Sequence, residues 1–595
     1  MALAKKIQIY DTTLRDGCQS EDVSLTTADK LQIAERLDDL GIDYIEGGWP
    51  GSNARDAAFF QEVRKLKLRH AKIAAFGSTR RAGIRAAADR NLQLMLQADT
   101  PVATVVGKTW DLHVREALRI SLPANLEILN DTIAYLKKHV DEVIFDAEHF
   151  FDGYFANPEF AIACIKAVDD AGVDLICLCD TNGGRMPWEI ADAVKAAIAA
   201  LRAPVGIHCH NDSEVAVANS LAAIRCGAVQ VQGTINGLGE RCGNANLVSI
   251  IGNLQLKLGY NCVPNAKLKT LQETSMLVYE LANITPNRRQ AYVGQSAFAH
   301  KAGLHVSGIQ RNVHTYEHVD PALLGNDRRV LLSELSGRAN ILYKTREFGI
   351  ESELSKDQIA ALLEELKRLE AAGYTFDGAD ASFELLMLRT LGRVKDHFNF
   401  VSFRVFDDKW HEEQAPFSEA VIVIEGPDGR RTRNSAIGNG PVNALDSALR
   451  QALVPYYPNL AGMQLADYKV RVLDNGAGTG ARVRVLIEST DGHRRWGTVG
   501  LSSNVVEASW QALVDSVEFK LHKDNVKPRI PPLSAANDAR RPVSGAIKNS
   551  VNGTAKSAAN GTAKGAANGT APRAVKSTLK TRRATNGVNG AAAKP

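Results

Sequence analysis

Residues 205–212 read VGIHCHND, two histidines one residue apart at the end of an apolar, β-branched run. Side chains of a strand alternate with period two, so His208 and His210 would project from one face. Two imidazoles side by side suit a divalent metal that needs further ligands. Other chemistry-bearing groups end similar runs: Arg15 and Asp16 follow IQIYDTT, Glu46 lies in DYIEGGWP, and Lys108 in ATVVGKTW. Glu148 lies in EVIFDAEHF, Asp180 and Thr181 in LICLCDTNGG, and Thr234 and Asn236 in VQVQGTING. Asp16, His208 and His210 together offer one carboxylate and two nitrogens, with positions left open for a substrate. Mg, Mn, Co and Zn all suit such a mixed set. Asn244 and Asn246, in GERCGNANL, read either as helix N-caps or as groups beside the metal. Singly, Glu46, Lys108 and Asp180 read as strand-end structural groups before catalytic ones.

These residues converge only if the elements carrying them are arranged in a ring. From residue 7 to about 260 the apolar runs alternate with stretches such as TTADKLQIAERLDDLG and SEVAVANSLAAIRCG, apolar at helical spacing and closed by glycine. Eight βα units over that length predict a (β/α)8 barrel, whose chemistry collects at the C-terminal ends of its strands. A doubly wound open sheet is the competitor, but no GxGxxG opens a helix after the first strand. The barrel is expected over 1–261, followed by a mostly helical linker region over 262–395. There NAKLKTLQETSMLVYELANI and SKDQIAALLEELKRLEAAG are amphipathic.

Residues 396–530 contain an internal repeat. VIVIEGPDGRRTRNSAIGNGPVNALDSALRQAL parallels VRVLIESTDGHRRWGTVGLSSNVVEASWQAL. Each half reads as strand, Asp-Gly turn, strand and helix, which predicts a pseudo-symmetric α+β domain. Residues 531–595 are low-complexity and poor in large apolar side chains, so they are expected to be disordered. From Ala539 onward they carry 11 Lys/Arg and no Asp/Glu, leaving 60 basic against 67 acidic residues before them. The overall charge of +4 therefore hides a body of −7, and nucleic-acid binding would rest on the tail alone. The eight cysteines are scattered, and Cys177 and Cys179 read as core packing in a strand. Reduced thiols, no apolar run of membrane-spanning length and no signal-peptide pattern predict a cytoplasmic protein.

Three motifs in order, DTTLRDGCQ (11–19), HCHND (208–212) and GTINGLGERCGNANL (233–247), resemble the acyl-CoA-condensing metallo-barrels, the isopropylmalate, homocitrate and citramalate synthases. The resemblance spans about residues 5–525. GKTWDLHV (107–114) and DAEHFFDGY (146–154) resemble the citramalate-forming branch. The resemblance implies that Asp16, His208 and His210 ligate a divalent cation, with Asn244 at the same centre. It places Arg15 beside the oxygen of a 2-oxo acid, Gln19 at the end of the same motif and Thr181 at the substrate carboxylate. It puts Glu148 near the reacting carbons, and AFAHKAGLHVSG (297–308) supplies a histidine from beyond the barrel: His305, or else His300. Tyr316 is a looser match in that region. His305 with Glu148 would then form a base able to take a proton from the methyl of acetyl-CoA. The resemblance further implies pyruvate as second substrate, a homodimer, and a C-terminal allosteric domain with isoleucine as feedback effector. Isopropylmalate or homocitrate synthesis and cleavage by a related lyase remain within its scope; a binding protein acting through its basic tail is the reading from another class. Trp110, Phe150, Phe151 and Tyr154 are expected to restrict the substrate pocket to a methyl-sized side chain.

Overall fold

The computed structural model describes residues 5–332, 337–350, 354–409, 411–412, 415–473 and 478–530. The basic tail, expected to be disordered, lies outside the described residues. Eight parallel strands close a barrel in sequence order: β1 Gln8–Asp11, β2 Tyr44–Gly48, β3 Lys72–Ser78, β4 Val102–Lys108, β5 Glu142–Glu148, β6 Leu175–Asp180, β7 Val205–Cys209 and β8 Gln230–Gly233. Closure is made by β1 on β8, from Gln8 opposite Gln230 to Asp11 opposite Gly233. All eight apolar runs of the sequence are these strands.

The helices between them begin and end where local chemistry dictates. In the first, Thr27–Leu40, Thr26 and Asp29 form a reciprocal capping box, an arrangement that contributes about 1 kcal/mol. Gly41 ends it at φ 96°, where a β-carbon would also strike Pro264 at 2.4 Å. The outer helices and outward strand faces share one apolar core, which includes Ile33, Leu37, Phe59, Phe145, Ile165 and Val194. That core does not stop at residue 261. Leu271, Val278, Phe298 and Leu324 belong to it, so the start of the expected linker packs on the barrel. Inside the barrel a smaller cluster of Tyr10, Tyr44, Ala74, Val102, Ile144, Leu175, Cys177 and Cys179 fills the lumen.

The linker contributes the helices Leu271–Leu281, Gly303–Arg311, Arg338–Glu347, Lys356–Ala372 and Asp380–Thr390. It also holds a short parallel pair, β9 Ala299–His300 and β10 Arg329–Val330. Its last helix docks on the C-terminal domain: Ser382 Oγ accepts from Val499 N at 3.0 Å, and Arg389 pairs with Asp515 at 2.9 Å.

The C-terminal domain holds two matching halves, each with one strand more than the sequence repeat revealed. β11 Asn399–Asp408, β12 Phe417–Glu425 and β13 Arg431–Gly438 form one antiparallel sheet, covered by the helix Pro441–Leu453. β14 Gln464–Val472, β15 Val483–Thr490 and β16 Arg495–Ser502 form the other, covered by Val505–Asp524. The extra strands β11 and β14 lie at sheet edges and are largely exposed, so they lack the apolar alternation that marks a half-buried strand. Ile422, Leu449, Ile487, Trp496 and Leu513 share the core between the halves. No helix among the described residues is long and apolar enough to cross a membrane.

Candidate active site

The loop after β1 is wound tightly: Arg15, Asp16 and Gly17 all donate backbone N–H to Thr12 O, at 2.9–3.2 Å. Thr13 Oγ1 accepts from Ile235 N at 2.9 Å, tying this loop to the end of β8. Arg15 and Asp16 are thereby aimed over the barrel mouth. His208 lies on β7 and His210 just past it, with rings 5.1 Å apart, as period-two spacing requires. Their Nε2 atoms stand 3.5 and 3.8 Å from Asp16 Oδ2, and all three residues are buried.

Asn244 and Asn246 divide the two roles the sequence left open. Asn246 caps the helix Leu247–Gly252 through Val248 N. Asn244 instead bridges to His210 through its backbone and donates its amide to Leu238 O at 3.1 Å. Gly233 lets this segment close on the end of β8, since a β-carbon there would lie 2.3 Å from Ala245 O.

The residues present fit a divalent cation. One nitrogen of each histidine and a carboxylate oxygen of Asp16 lie within 4.8 Å of one another, and Oδ1 of Asn244 is buried without a hydrogen-bond partner among the described residues. Burial pushes His208 down to about 3 and lowers His210 as well, so both imidazoles are neutral. Burial opposes ionisation of Asp16, yet the Arg15 guanidinium beside it and a hydrogen bond from the Asn244 side chain hold its carboxyl below the usual range. Neutral nitrogens beside an ionised carboxylate are the protonation states that ligation demands.

Arg15 is held from two sides. Its Nε donates to Glu46 Oε2 at 2.6 Å, and its guanidinium lies 3.9 Å above the Phe76 ring. Glu46 lies in the middle of β2 rather than at its end; fully buried, it also accepts from Tyr10 Oη at 2.8 Å and from Thr12 Oγ1. Glu46 therefore does structural work, and that work is to fix Arg15. Phe76 was not foreseen; its inward position on β3 was the available signal. Gln19 is exposed and lines a cavity of about 560 Å³ shared with Arg15, Trp49 and Arg55. Glu148 pairs with Lys108, its register partner on β4. Thr181 Oγ1 accepts from His149 N at 2.9 Å, and Arg241 donates to Thr181 O at 2.8 Å while pairing with Asp212.

The expected His305–Glu148 pair is not assembled within one chain. His305 sits exposed on the helix Gly303–Arg311, its ring stacked 4.2 Å from Tyr316, which is exposed too. Among the described residues it makes no hydrogen bond to Glu148. His300 contacts Glu317 at 3.1 Å, and Glu317 is gripped by Arg328. Of the two candidates, His305 is the one left available. Phe150 and Phe151 are wholly buried in the barrel core, so only Trp110 and Tyr154 of the four expected pocket aromatics remain partly accessible.

Comparison with known proteins agrees with this arrangement. Residues 6–278 match the HMGL-like family, 292–373 the homocitrate synthase post-HMGL domain-like family, and 377–521 the LeuA allosteric (dimerisation) domain. The chain is 58% identical to an (R)-citramalate synthase of Geobacter sulfurreducens over 87% of its own length and 98% of that protein's. It is 52% identical to an (R)-citramalate synthase of Aquifex aeolicus, over 88% and 99% of the two chains. A 2-isopropylmalate synthase of Methanocaldococcus jannaschii is 32% identical over 87% of this chain and 95% of that one. The barrel rim, the doubled C-terminal sheets and this near-full-length identity lead to one assignment: the chain belongs to the (R)-citramalate synthase family.

Proposed function

We propose that the protein joins the methyl carbon of acetyl-CoA to the keto carbon of pyruvate and, with one water, releases (R)-citramalate and CoA. This is an acyltransferase reaction that feeds isoleucine synthesis. The observation that carries the reading is the buried Asp16–His208–His210 set with Arg15 fixed beside it, in a chain most of whose length matches such synthases. A divalent cation held by Asp16, His208, His210 and Asn244 would supply Lewis-acid polarisation of the ketone.

The other steps fall to the chain's own residues. Arg15, locked by Glu46 and Phe76, presents a fixed positive charge to the keto oxygen and stabilises negative charge developing there without reorganising. Thr181 orients the substrate carboxylate, and Gln19 lines its approach. Glu148 at the rim and His305 take the proton from the acetyl methyl. Since one chain keeps these two apart, His305 and Tyr316 serve the rim of a second copy, which makes the working enzyme a homodimer. The C-terminal domain then binds the feedback effector, isoleucine, between its matching halves, and the enzyme acts in the cytoplasm.

The test is CoA-thiol release from acetyl-CoA across a panel of 2-oxo acids, with and without branched-chain amino acids. Pyruvate should be the preferred acid and isoleucine the inhibitor. Preference for 2-oxoisovalerate would assign isopropylmalate synthesis instead, and indifference to every branched-chain amino acid would leave the C-terminal domain a dimerising one only.

A further inference from the structure

A second cluster of metal-ligating side chains lies inside the barrel next to the first, near enough for Arg15 and Asp16 to act on it electrostatically. Asp146 on β5 stands opposite Cys177 on β6, and Cys179 follows on the same inward face. One carboxylate oxygen and the two sulfurs all lie within 4.8 Å of one another. Cys177 is fully buried, while Asp146 and Cys179 are 4% and 6% exposed, so the cluster is reached from the mouth past Cys179.

Its polar atoms are under-served. An ionised carboxylate offers about four acceptor sites, whereas Asp146 receives one hydrogen bond, from Gln232 Nε2 at 3.0 Å. Gln232 is itself fully buried, and its side chain also meets the His208 ring. Cys179 Sγ finds only the Cys177 carbonyl, at 3.7 Å. If Cys177 and Cys179 served packing alone, nothing would call for a buried carboxylate beside them.

We propose that Asp146, Cys177 and Cys179 form a second cation site, selective for a thiophilic divalent ion such as Zn2+ or Cd2+. Two sulfurs and one oxygen suit a borderline or soft ion, while Mg2+ disfavours thiolate ligands. Binding displaces two thiol protons to solvent, and the dication offsets the resulting thiolates, which a dry interior could not otherwise hold beside Asp146. Cys179 pairs in register with His208, so occupancy of this site strains the strand that carries the catalytic ligands. Thiophilic ions are therefore inhibitors even when Mg2+ saturates the rim.

The test uses the full-length chain carrying Cys242→Ser, which removes the exposed thiol, in saturating Mg2+. Titration with Cd2+ is followed by thiolate-to-cadmium charge-transfer absorption and by equilibrium dialysis. The expected result is a charge-transfer band from two sulfurs that saturates with one ion per chain. Cys177→Ser and Cys179→Ser should each at least halve its amplitude, and Asp146→Asn should keep the band but weaken affinity by about 10–100-fold. Turnover should fall as the band grows and return on adding a dithiol chelator. Absence of the band, or the same amplitude in Cys177→Ser, overturns the proposal. If the serine variants fail to fold, cadmium NMR of the Cys242→Ser protein decides: a two-sulfur shift supports the site, and a nitrogen–oxygen shift alone refutes it.

Discussion

Replacing Glu46 by Gln tests whether Arg15 acts through its fixed position. The substitution keeps the shape of the side chain and removes its charge. One oxygen remains to accept from Tyr10 Oη, but the new amide N–H2 meets Arg15 Nε–H, donor against donor, where a 2.6 Å charge-assisted bond stood. Such a bond contributes about 1.5–3 kcal/mol. Arg15 keeps its stacking on Phe76 and the carboxylate of Asp16 at 3.7 Å, so it is misplaced rather than set free. If the loss is felt wholly at the charge Arg15 presents, kcat falls by roughly 10–150-fold at 1.36 kcal/mol per decade. The KM for acetyl-CoA should hold. The assay is thiol release under saturating pyruvate, combined with Arg15→Lys and the double variant. The two single losses should not add in the double variant, because each removes the same interaction. A Glu46→Gln enzyme within about twofold of the parent, or single losses that add in the double variant to within the usual scatter of about 0.3–0.5 kcal/mol, would refute the account.

Four further outcomes are expected. His208→Ala and His210→Ala should each lose bound metal and turnover together, with affinity falling by more than the about 10–100-fold typical of an outer partner, as read by metal analysis after dialysis. Pyruvate should exceed 2-oxoisovalerate by at least about tenfold in kcat/KM, if Trp110 and Tyr154 restrict the substrate pocket as proposed and two added methyl groups must enter it. Burial raises the Asp11 carboxyl to about 7, against hydrogen bonds from Thr13 and Ile235 that lower it. The folded state thus holds that proton more tightly than the unfolded chain, whose value is about 4. Stability present below about pH 4 is lost as pH rises through about 7, so the Tm advantage of Asp11→Asn over the parent should grow across that window and then level off. Truncation after Pro532 should leave kcat, KM and effector response unchanged; a large loss would show that the tail serves the body.

The sequence by itself determined the barrel and the meeting of Asp16, His208 and His210. Eight apolar runs, each followed by helical spacing, allow few other closures, and period two alone puts His208 and His210 on one face. Asp16 was legible because strand ends of a barrel share one rim, whatever their separation along the chain. What only the tertiary structure decided are contacts between residues far apart in sequence with no pattern of their own. Glu46 and Phe76 clasp Arg15 from two other strands, and Asn244 rather than Asn246 is the one that bridges to His210. Phe150 and Phe151 could be assigned to the core only once packed, since an aromatic at a strand end is compatible with core and pocket alike. Strands β11 and β14 were hidden because exposed edges need no apolar alternation. The separation of His305 from Glu148 belongs to the same class: a motif names the residue, but only the path of the chain places it on this rim or on another copy's.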